Sequence, residues 1–181
     1  MIYYLHGYQS SPTSTKGTLF RETLHAVPIT YRTGPPEAMV IPECLQRIAD
    51  AIKDDSNVIL IGSSFGGFLA AATAVHHTTV KHLILLNPAI IPPRTRLTNI
   101  QGMPASVLSQ MLRPEFFKQK IHTSIAILRG TDDTVVPDAW VLRFARAQEA
   151  TVHFLHDDHA FSKNLSRLPS IISTILKEGS Y

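Results

Sequence analysis

Short apolar runs alternate with longer amphipathic segments along most of the chain. Two of the short runs, 83–86 and 57–61 after its first residue, are apolar throughout, which is typical of strands buried on both faces of a sheet. Strands that alternate with helices indicate a mostly parallel α/β sheet flanked by helices. The six predicted strands are 2–5, 26–30, 57–61, 83–86, 124–128 and 151–155, and the predicted helices are 13–24, 37–54, 65–75, 137–149 and 163–177.

One segment breaks this alternation. Residues 90–120 separate the fourth and fifth predicted strands and are too long for an ordinary connection, which makes them a candidate lid. Apolar residues at helical spacing follow Pro104, and they predict a helix that packs onto the sheet or forms an apolar wall for an acyl chain. We therefore expect a single α/β domain over residues 1–181 with a helical lid insertion at 90–120. The apolar residues are Val107, Leu108, Met111 and Leu112.

The composition suits a protein with a full hydrophobic core. The chain has 181 residues, of which 44% are hydrophobic and 17% charged, and this excludes a disordered chain or a coiled coil. No apolar run reaches the roughly 18 residues of a membrane span, and the N terminus shows no signal peptide. The single cysteine, Cys44, excludes an intramolecular disulfide. We expect a cytoplasmic protein without a membrane span.

The net charge of +3 is concentrated in one segment. Between residues 92 and 120 there are five cations and one anion, and the rest of the chain sums to −1. No aromatic ladder for base stacking accompanies the cations, so we expect no nucleic-acid partner. The same cations either form a solvated outer face or favour acyl substrates that carry a distal negative charge. The five cations are Arg94, Arg96, Arg113, Lys118 and Lys120.

The sequence Gly62-Ser63-Ser64-Phe65-Gly66 matches the pattern Gly-x-Ser-x-Gly. It lies between a predicted strand and a predicted helix, as a nucleophile elbow requires. The two glycines, Gly62 and Gly66, leave room for the tight turn, and Ser64 is the predicted nucleophile. Ser63 is out of register with the pattern and is interpreted as structural. The alternative interpretation is a Gly/Ser-rich turn that binds phosphate.

A serine nucleophile needs a base and an acid that orients the base. In a sheet of this kind the order along the chain is Ser, then Asp or Glu, then His. Asp133 follows the fifth predicted strand and His159 follows the sixth, at the carboxyl ends where open α/β sheets build their sites. Asp132 is an alternative acid and His156 an alternative base.

An oxyanion hole is the remaining requirement of such a site. One donor is expected to be the backbone N–H of Phe65, directly after the nucleophile, and the other the backbone N–H of Tyr8 in the loop after the first strand. Gly7 allows that loop to bend, and His6 braces it by hydrogen bonding. No close cluster of His, Cys and carboxylates has the spacing of a structural zinc site, so neither a metal nor a cofactor is expected.

At four motifs the chain resembles the YqiA-type small bacterial esterases of the α/β-hydrolase superfamily. The resemblance implies that Ser64 is the nucleophile, Asp133 the acid and His159 the base. It also implies a minimal version of the superfamily's sheet, which lacks two N-terminal strands and has the strand order 2-1-3-4-5-6. The four motifs are residues 4–12, 62–67, 87–89 and 158–161.

These residues together predict a carboxylesterase-like serine hydrolase. Its expected partner is a small-molecule acyl ester or thioester, cleaved through an acyl-enzyme. One alternative is a non-catalytic binding protein that keeps the fold and holds a small ligand. The other is an amidase, peptidase or acyltransferase that uses the same triad.

Overall fold

The computed structural model describes residues 1–178. These residues form a parallel six-stranded sheet with the order β2-β1-β3-β4-β5-β6, which confirms the predicted order. The order reverses between β1 and β3, and this opens a crevice at their carboxyl ends. The strands are β1 (Ile2–Leu5), β2 (Val27–Pro28), β3 (Val58–Ser63), β4 (Val80–Leu86), β5 (Ser124–Gly130) and β6 (Thr151–Leu155). The helices are α1 (Thr15–Leu24), α2 (Ile41–Ile52), α3 (Phe65–His76), α4 (Ala105–Gln110), α5 (Asp138–Gln148) and α6 (Leu168–Glu178).

Successive side chains of the central strands point to opposite faces of the sheet. Leu60 of β3 packs into the core that α2, α3 and α5 cover, whereas its neighbour Ile61 packs into the core that α1 and α6 cover. Leu85 and Ile84 of β4 divide in the same way. Helices cover both faces of the sheet, so neither face of the central strands is exposed to solvent. This explains their continuous apolar runs.

Caps and prolines place several helix ends where periodicity alone does not. α1 begins directly after Ser14, because the Ser14 hydroxyl accepts a hydrogen bond from Gly17 N at 3.3 Å and caps the helix. The predicted helix 37–54 begins only at Ile41, with Pro42 in its first turn. The predicted helix 163–177 likewise begins at Leu168, after a short 3-10 turn.

The second strand is much shorter than the predicted 26–30. Only Val27–Pro28 pairs with β1. Pro28 has no N–H to donate to a strand ladder, and a proline is tolerated in a sheet only at an edge or a bulge. β2 is an edge strand, so its outer side needs no donor.

The segment 90–120 packs into the body of the protein. Its helix α4 buries Val107 and Leu108 in the same core as α3 and α5. The ring of Phe116 makes edge contacts with Phe68 of α3 and Phe144 of α5, at 6.1 and 6.0 Å between ring centroids. The helix predicted after Pro104 therefore forms and packs as a core element.

Candidate active site

Ser64 occupies a sharp turn between β3 and α3. Its backbone angles, φ 54° and ψ −116°, lie outside the regions that residues with a side chain ordinarily adopt. The Ser64 amide donates to Leu86 O at 2.8 Å, and its carbonyl accepts from Gly67 N at 2.9 Å and Ala89 N at 3.0 Å. A strained conformation of this kind persists only where its surroundings hold it, and it is typical of functional sites.

Both glycines of the motif are required because backbone atoms of other residues lie very close to them. A Cβ at Gly62 would lie 2.7 Å from Gly67 Cα, and a Cβ at Gly66 would lie 2.6 Å from His6 O. The start of α3 is pressed against the ends of β1 and β3, so only glycine fits at either position.

The ends of β5 and β6 bring Asp133 and His159 together. Asp133 Oδ2 lies 2.8 Å from His159 Nδ1, and Asp133 Oδ1 accepts from Val135 N at 2.7 Å and Val136 N at 3.1 Å. Burial raises the pKa of Asp133, but the hydrogen bond and charge of His159 and the two amides outweigh burial and hold the pKa below its usual range. Asp133 is therefore ionised at neutral pH and leaves Nε2 as the free ring atom of His159.

Ser64 and His159 line one cavity of about 610 Å³ at the carboxyl ends of the strands. Sites for small molecules commonly have volumes of about 300–1,000 Å³, so a small substrate fits. From the segment 90–120 only residues 101–103 line the cavity, and none of the segment's five cations does. The apolar part of the lining comprises Tyr8, Met103, Val135, Ala160 and Leu165.

The backbone amides of Phe65 and Tyr8 have no protein acceptor within residues 1–178. Phe65 is the first residue of α3, where an amide has no partner inside the helix. The loop that carries Tyr8 passes directly beside Ser64, since a Cβ at Gly7 would lie 3.7 Å from Ser64 Cβ. That contact is an ordinary one and the φ of Gly7 is not left-handed, so the bend itself does not require glycine.

His6 lies beneath this loop and braces it. Its Nδ1 donates to Gly7 O at 2.8 Å, and its ring stacks on Tyr31 with 4.3 Å between centroids. The Tyr31 hydroxyl donates to His6 O at 3.0 Å. Burial lowers the pKa of His6 to about 4, against which the hydrogen bond to Gly7 acts only in part. The imidazole is therefore neutral at pH 7.

The buried neutral His6 predicts how stability depends on pH. Its pKa is about 4 in the folded protein and about 6.5 in the unfolded chain, so the unfolded chain binds more protons between these values. Stability is then lost as the pH falls through this window. Between pH 7 and pH 4.5 we expect the free energy of unfolding to fall by about 2–3 kcal/mol more in the native protein than in His6→Gln. Urea unfolding at both pH values measures the difference, and equal falls would contradict the prediction.

Arg129, in β5, is a buried cation behind the predicted acid. Its side chain is 2% exposed, and Nη1 lies 2.5 Å from Asp133 Oδ2 and 3.3 Å from Asn87 Oδ1. Nε donates to Asp138 Oδ1 at 2.8 Å, and Nη2 donates to Val136 O at 2.7 Å. Arg129 was not predicted as a site residue. The available signal was a charged residue directly after the apolar run of the fifth predicted strand.

Removal of the Arg129 guanidinium would leave the buried Asp133 carboxylate without its cation. Breaking a buried ion pair from one side costs about 3–5 kcal/mol, so Arg129→Gln should lower the free energy of unfolding by about that amount. Arg146→Gln is the matched control, because Arg146 is an exposed arginine on α5. It should change stability by no more than about 0.5 kcal/mol. Similar losses in the two variants, measured by urea unfolding, would exclude a special role for the buried pair.

Two further polar residues hold the loop that carries His159. Asn87 follows β4 with φ 44°, and its side chain donates to His159 O at 3.1 Å and accepts from Gly130 N at 2.9 Å. Asp157 is fully buried and accepts from both N and Nδ2 of Asn164 at 2.8 Å. The sequence analysis uses Asn87 only as part of a resemblance and misses Asp157, because neither role is visible without the partner residues.

The alternative acid and base lie together outside the cavity. Asp132 and His156 are 3.4 Å apart, with side chains 42% and 79% exposed, and Asp132 Oδ2 accepts from Lys163 Nζ at 2.8 Å. Ser63 is buried at the cavity wall. Of the candidate acids and bases, Asp133 and His159 are therefore the pair at the cavity that Ser64 lines.

Residues 1–178 contain no cluster of metal-ligating side chains and no helix suited to cross a membrane. In that part of the chain, no group of three His, Cys, Asp or Glu side chains is arranged to hold a metal ion. Its helices include none with the length and apolar character needed to cross a membrane.

The fold is that of the α/β-hydrolase superfamily. Est1E from Butyrivibrio proteoclasticus, whose structure holds ferulic acid, is similar with a TM-score of 0.79 and 19% identity over 98% of this chain and 88% of that chain. Alpha/beta hydrolase domain-containing protein 10 from mouse is similar with a TM-score of 0.73 and 16% identity over 99% and 90% of the two chains. For the Pyrococcus furiosus esterase Pf2001 the values are 0.73 and 14%, over 98% and 80%.

The chain belongs to UPF0227, an uncharacterised protein family whose model matches residues 1–176. No curated protein is significantly similar to it in sequence. At identities below one quarter, the likeness to the solved structures shows a shared fold.

Proposed function

We propose that this protein is a serine hydrolase that cleaves carboxylic esters or thioesters of small acyl groups. One observation carries the proposal: a strained serine and a histidine paired with a buried, ionised aspartate line the same cavity. The fold shared with esterases supports the same reaction class. The site needs no cofactor for this chemistry.

In the first half of the reaction, Ser64 Oγ attacks the carbonyl carbon while His159 Nε2 accepts the hydroxyl proton. Asp133 holds His159 in the required tautomer and stabilises the imidazolium. The backbone amides of Phe65 and Tyr8 donate to the oxyanion of the tetrahedral intermediate, and each such donor contributes about 3 kcal/mol. Within residues 1–178 no hydrogen bond joins Ser64 Oγ to the His159 ring, so that contact forms when substrate binds.

The intermediate then collapses, and the bond between the carbonyl carbon and the leaving oxygen or sulfur breaks. His159 Nε2 gives its proton to that atom, and the acyl group remains on Ser64 as an ester. A water molecule attacks this acyl-enzyme while His159 accepts one of its protons. Collapse of the second intermediate releases the carboxylic acid and returns the proton to Ser64.

Apolar residues around the cavity offer a place for the acyl chain. Met103 comes from the segment 90–120 and Leu165 from the turn before α6, and both line the cavity. Val135 is 65% exposed, although it follows the buried Asp133 by only two residues. An apolar side chain so exposed at the cavity wall is available to cover an acyl chain.

A series of p-nitrophenyl esters of increasing acyl length tests the proposal. We expect turnover of short and medium chains, and covalent labelling by a fluorophosphonate probe at Ser64. Labelling separates the hydrolase from a binding protein of the same fold, since a non-catalytic site should not label. Absence of both turnover and labelling in the folded protein would contradict the proposed function.

A further inference from the structure

Lys16 contributes the permanent charge of the cavity lining. The lining residues include no aspartate or glutamate, and Lys16 is their only lysine or arginine. It is the second residue of α1, so the positive end of that helix adds to the field of its ammonium group. Lys16 thus places the permanent positive charge of the lining on the α1 side of the cavity.

The Lys16 ammonium has no protein partner at contact distance. Within residues 1–178 it makes neither a hydrogen bond nor an ion pair. Burial lowers the pKa of Lys16, and the charges of Asp158 and Asp157 oppose that shift without forming a contact. Asp158 is bonded to Ser162, and Asp157 is bonded to Asn164. A half-buried cation left in this state is stabilised by any anion that enters the cavity.

The start of α1 and the nucleophile line the same cavity. Burial raises the pKa of the Tyr4 hydroxyl to about 12, and the side chains of Ser14 and Ser63 oppose that shift, so both serines lie close to this hydroxyl. Ser14 caps α1 two residues before Lys16, and Ser63 directly precedes Ser64. Ser14, Lys16 and Ser64 all line this cavity of about 610 Å³. One small molecule can reach both the nucleophile and the cation.

We infer that Lys16 is a specificity-determining residue, which binds an ionised acid group carried by the ester substrate away from the scissile bond. The inference rests on the proposed ester hydrolysis and names its substrate class: esters with a second acid group, carboxylate or phosphate. A lysine is a flexible point charge and accepts either group. The basic segment 92–120 does not supply this charge, because none of its cations lines the cavity.

Two esters of matched shape test the inference. Mono-p-nitrophenyl adipate ends in a carboxylate, and p-nitrophenyl 6-methylheptanoate has an isopropyl group in its place. The measured quantity is the ratio of kcat/KM for the anionic ester to that for the neutral ester. We expect Lys16→Met to lower this ratio about tenfold, mainly through KM, because a charge-assisted contact is lost. Lys16→Arg should keep most of the ratio, and high salt should reduce it in the native protein.

Arg96→Gln is the matched control, since Arg96 is an exposed cation of the basic segment that does not line the cavity. It should leave the ratio unchanged. Butyrate and butyl phosphate, tested as inhibitors of neutral-ester hydrolysis, show whether carboxylate or phosphate binds better, and inhibition by either should weaken in Lys16→Met.

The kinetic results distinguish an error about Lys16 from an error about ester hydrolysis itself. If the native protein hydrolyses the neutral ester but Lys16→Met has the native ratio, the inference about Lys16 is wrong and the proposed function stands. An equal loss in Arg96→Gln also overturns it. If the native protein hydrolyses neither ester, the proposed function is wrong and the inference is lost with it.

Discussion

Ser64→Ala should abolish ester hydrolysis, with a loss in kcat of about 10⁶ on the scale known for serine proteases. The activity that remains should be the small rate that oxyanion donors and binding provide without a nucleophile. The fold should be kept, because the Ser64 hydroxyl makes no hydrogen bond within residues 1–178 and an alanine removes no protein contact of that kind. Steady-state kinetics with a short p-nitrophenyl ester, together with urea unfolding, measure both effects.

Ser63→Ala is the matched control for the nucleophile. It removes a hydroxyl from the neighbouring residue, which is buried and also lines the cavity. We expect Ser63→Ala to keep most of the turnover and to lose at most the stability of one buried hydrogen bond, about 1–2 kcal/mol. If Ser63→Ala is inactive and Ser64→Ala is active, the register of the elbow is wrong.

Asp133→Asn should lower kcat by about 10⁴, the loss seen when the acid of a serine-protease triad becomes an amide. All four groups that contact the Asp133 carboxylate are donors: Arg129, His159 and the amides of Val135 and Val136. An asparagine side chain has one oxygen that can accept from these donors. Its NH₂ group would face the remaining donors and could accept no hydrogen bond from them. The His159 tautomer is then wrong even where the fold survives, so KM should change much less than kcat.

Asp132→Asn provides the comparison for the acid. The change in charge is identical and one residue away, but Asp132 is exposed and bonds Lys163 outside the cavity. It should alter kcat by less than about threefold, because exposed ion pairs contribute little and the triad geometry is untouched. Losses of the same size in the two variants, or a larger loss in Asp132→Asn, would move the acid role away from Asp133.

Most of the fold followed from local patterns in the sequence. The parallel sheet was predicted because continuous apolar strands need helices on both faces, whereas the strand order was implied only by the resemblance. The first residues of α2 and α6 were not predicted. Apolar residues at helical spacing also occur before these helices begin, so spacing alone does not mark their N-terminal ends. β2 was overestimated for a similar reason, since its pairing ends at Pro28.

The residues of the candidate site were likewise predictable from sequence only in part. Ser64 stands out in sequence because strand, turn and helix are consecutive there and the glycines mark the turn. Asp132 and Asp133 look alike in sequence, and consecutive turn residues point in different directions: one side chain is 42% exposed and the other is fully buried. No periodicity distinguishes two such neighbours, so only their partners do.

The sequence by itself determined the class of fold, the elbow and the order in which the catalytic candidates occur, because each is encoded in residues adjacent along the chain. Only the tertiary structure decided the environment of each side chain. It buried Arg129 behind Asp133, and it brought Lys16 of the first helix to the wall of the cavity that Ser64 and His159 share. Burial, charge pairing and cavity shape depend on residues far apart in sequence, and these are the properties that set the chemistry of the site.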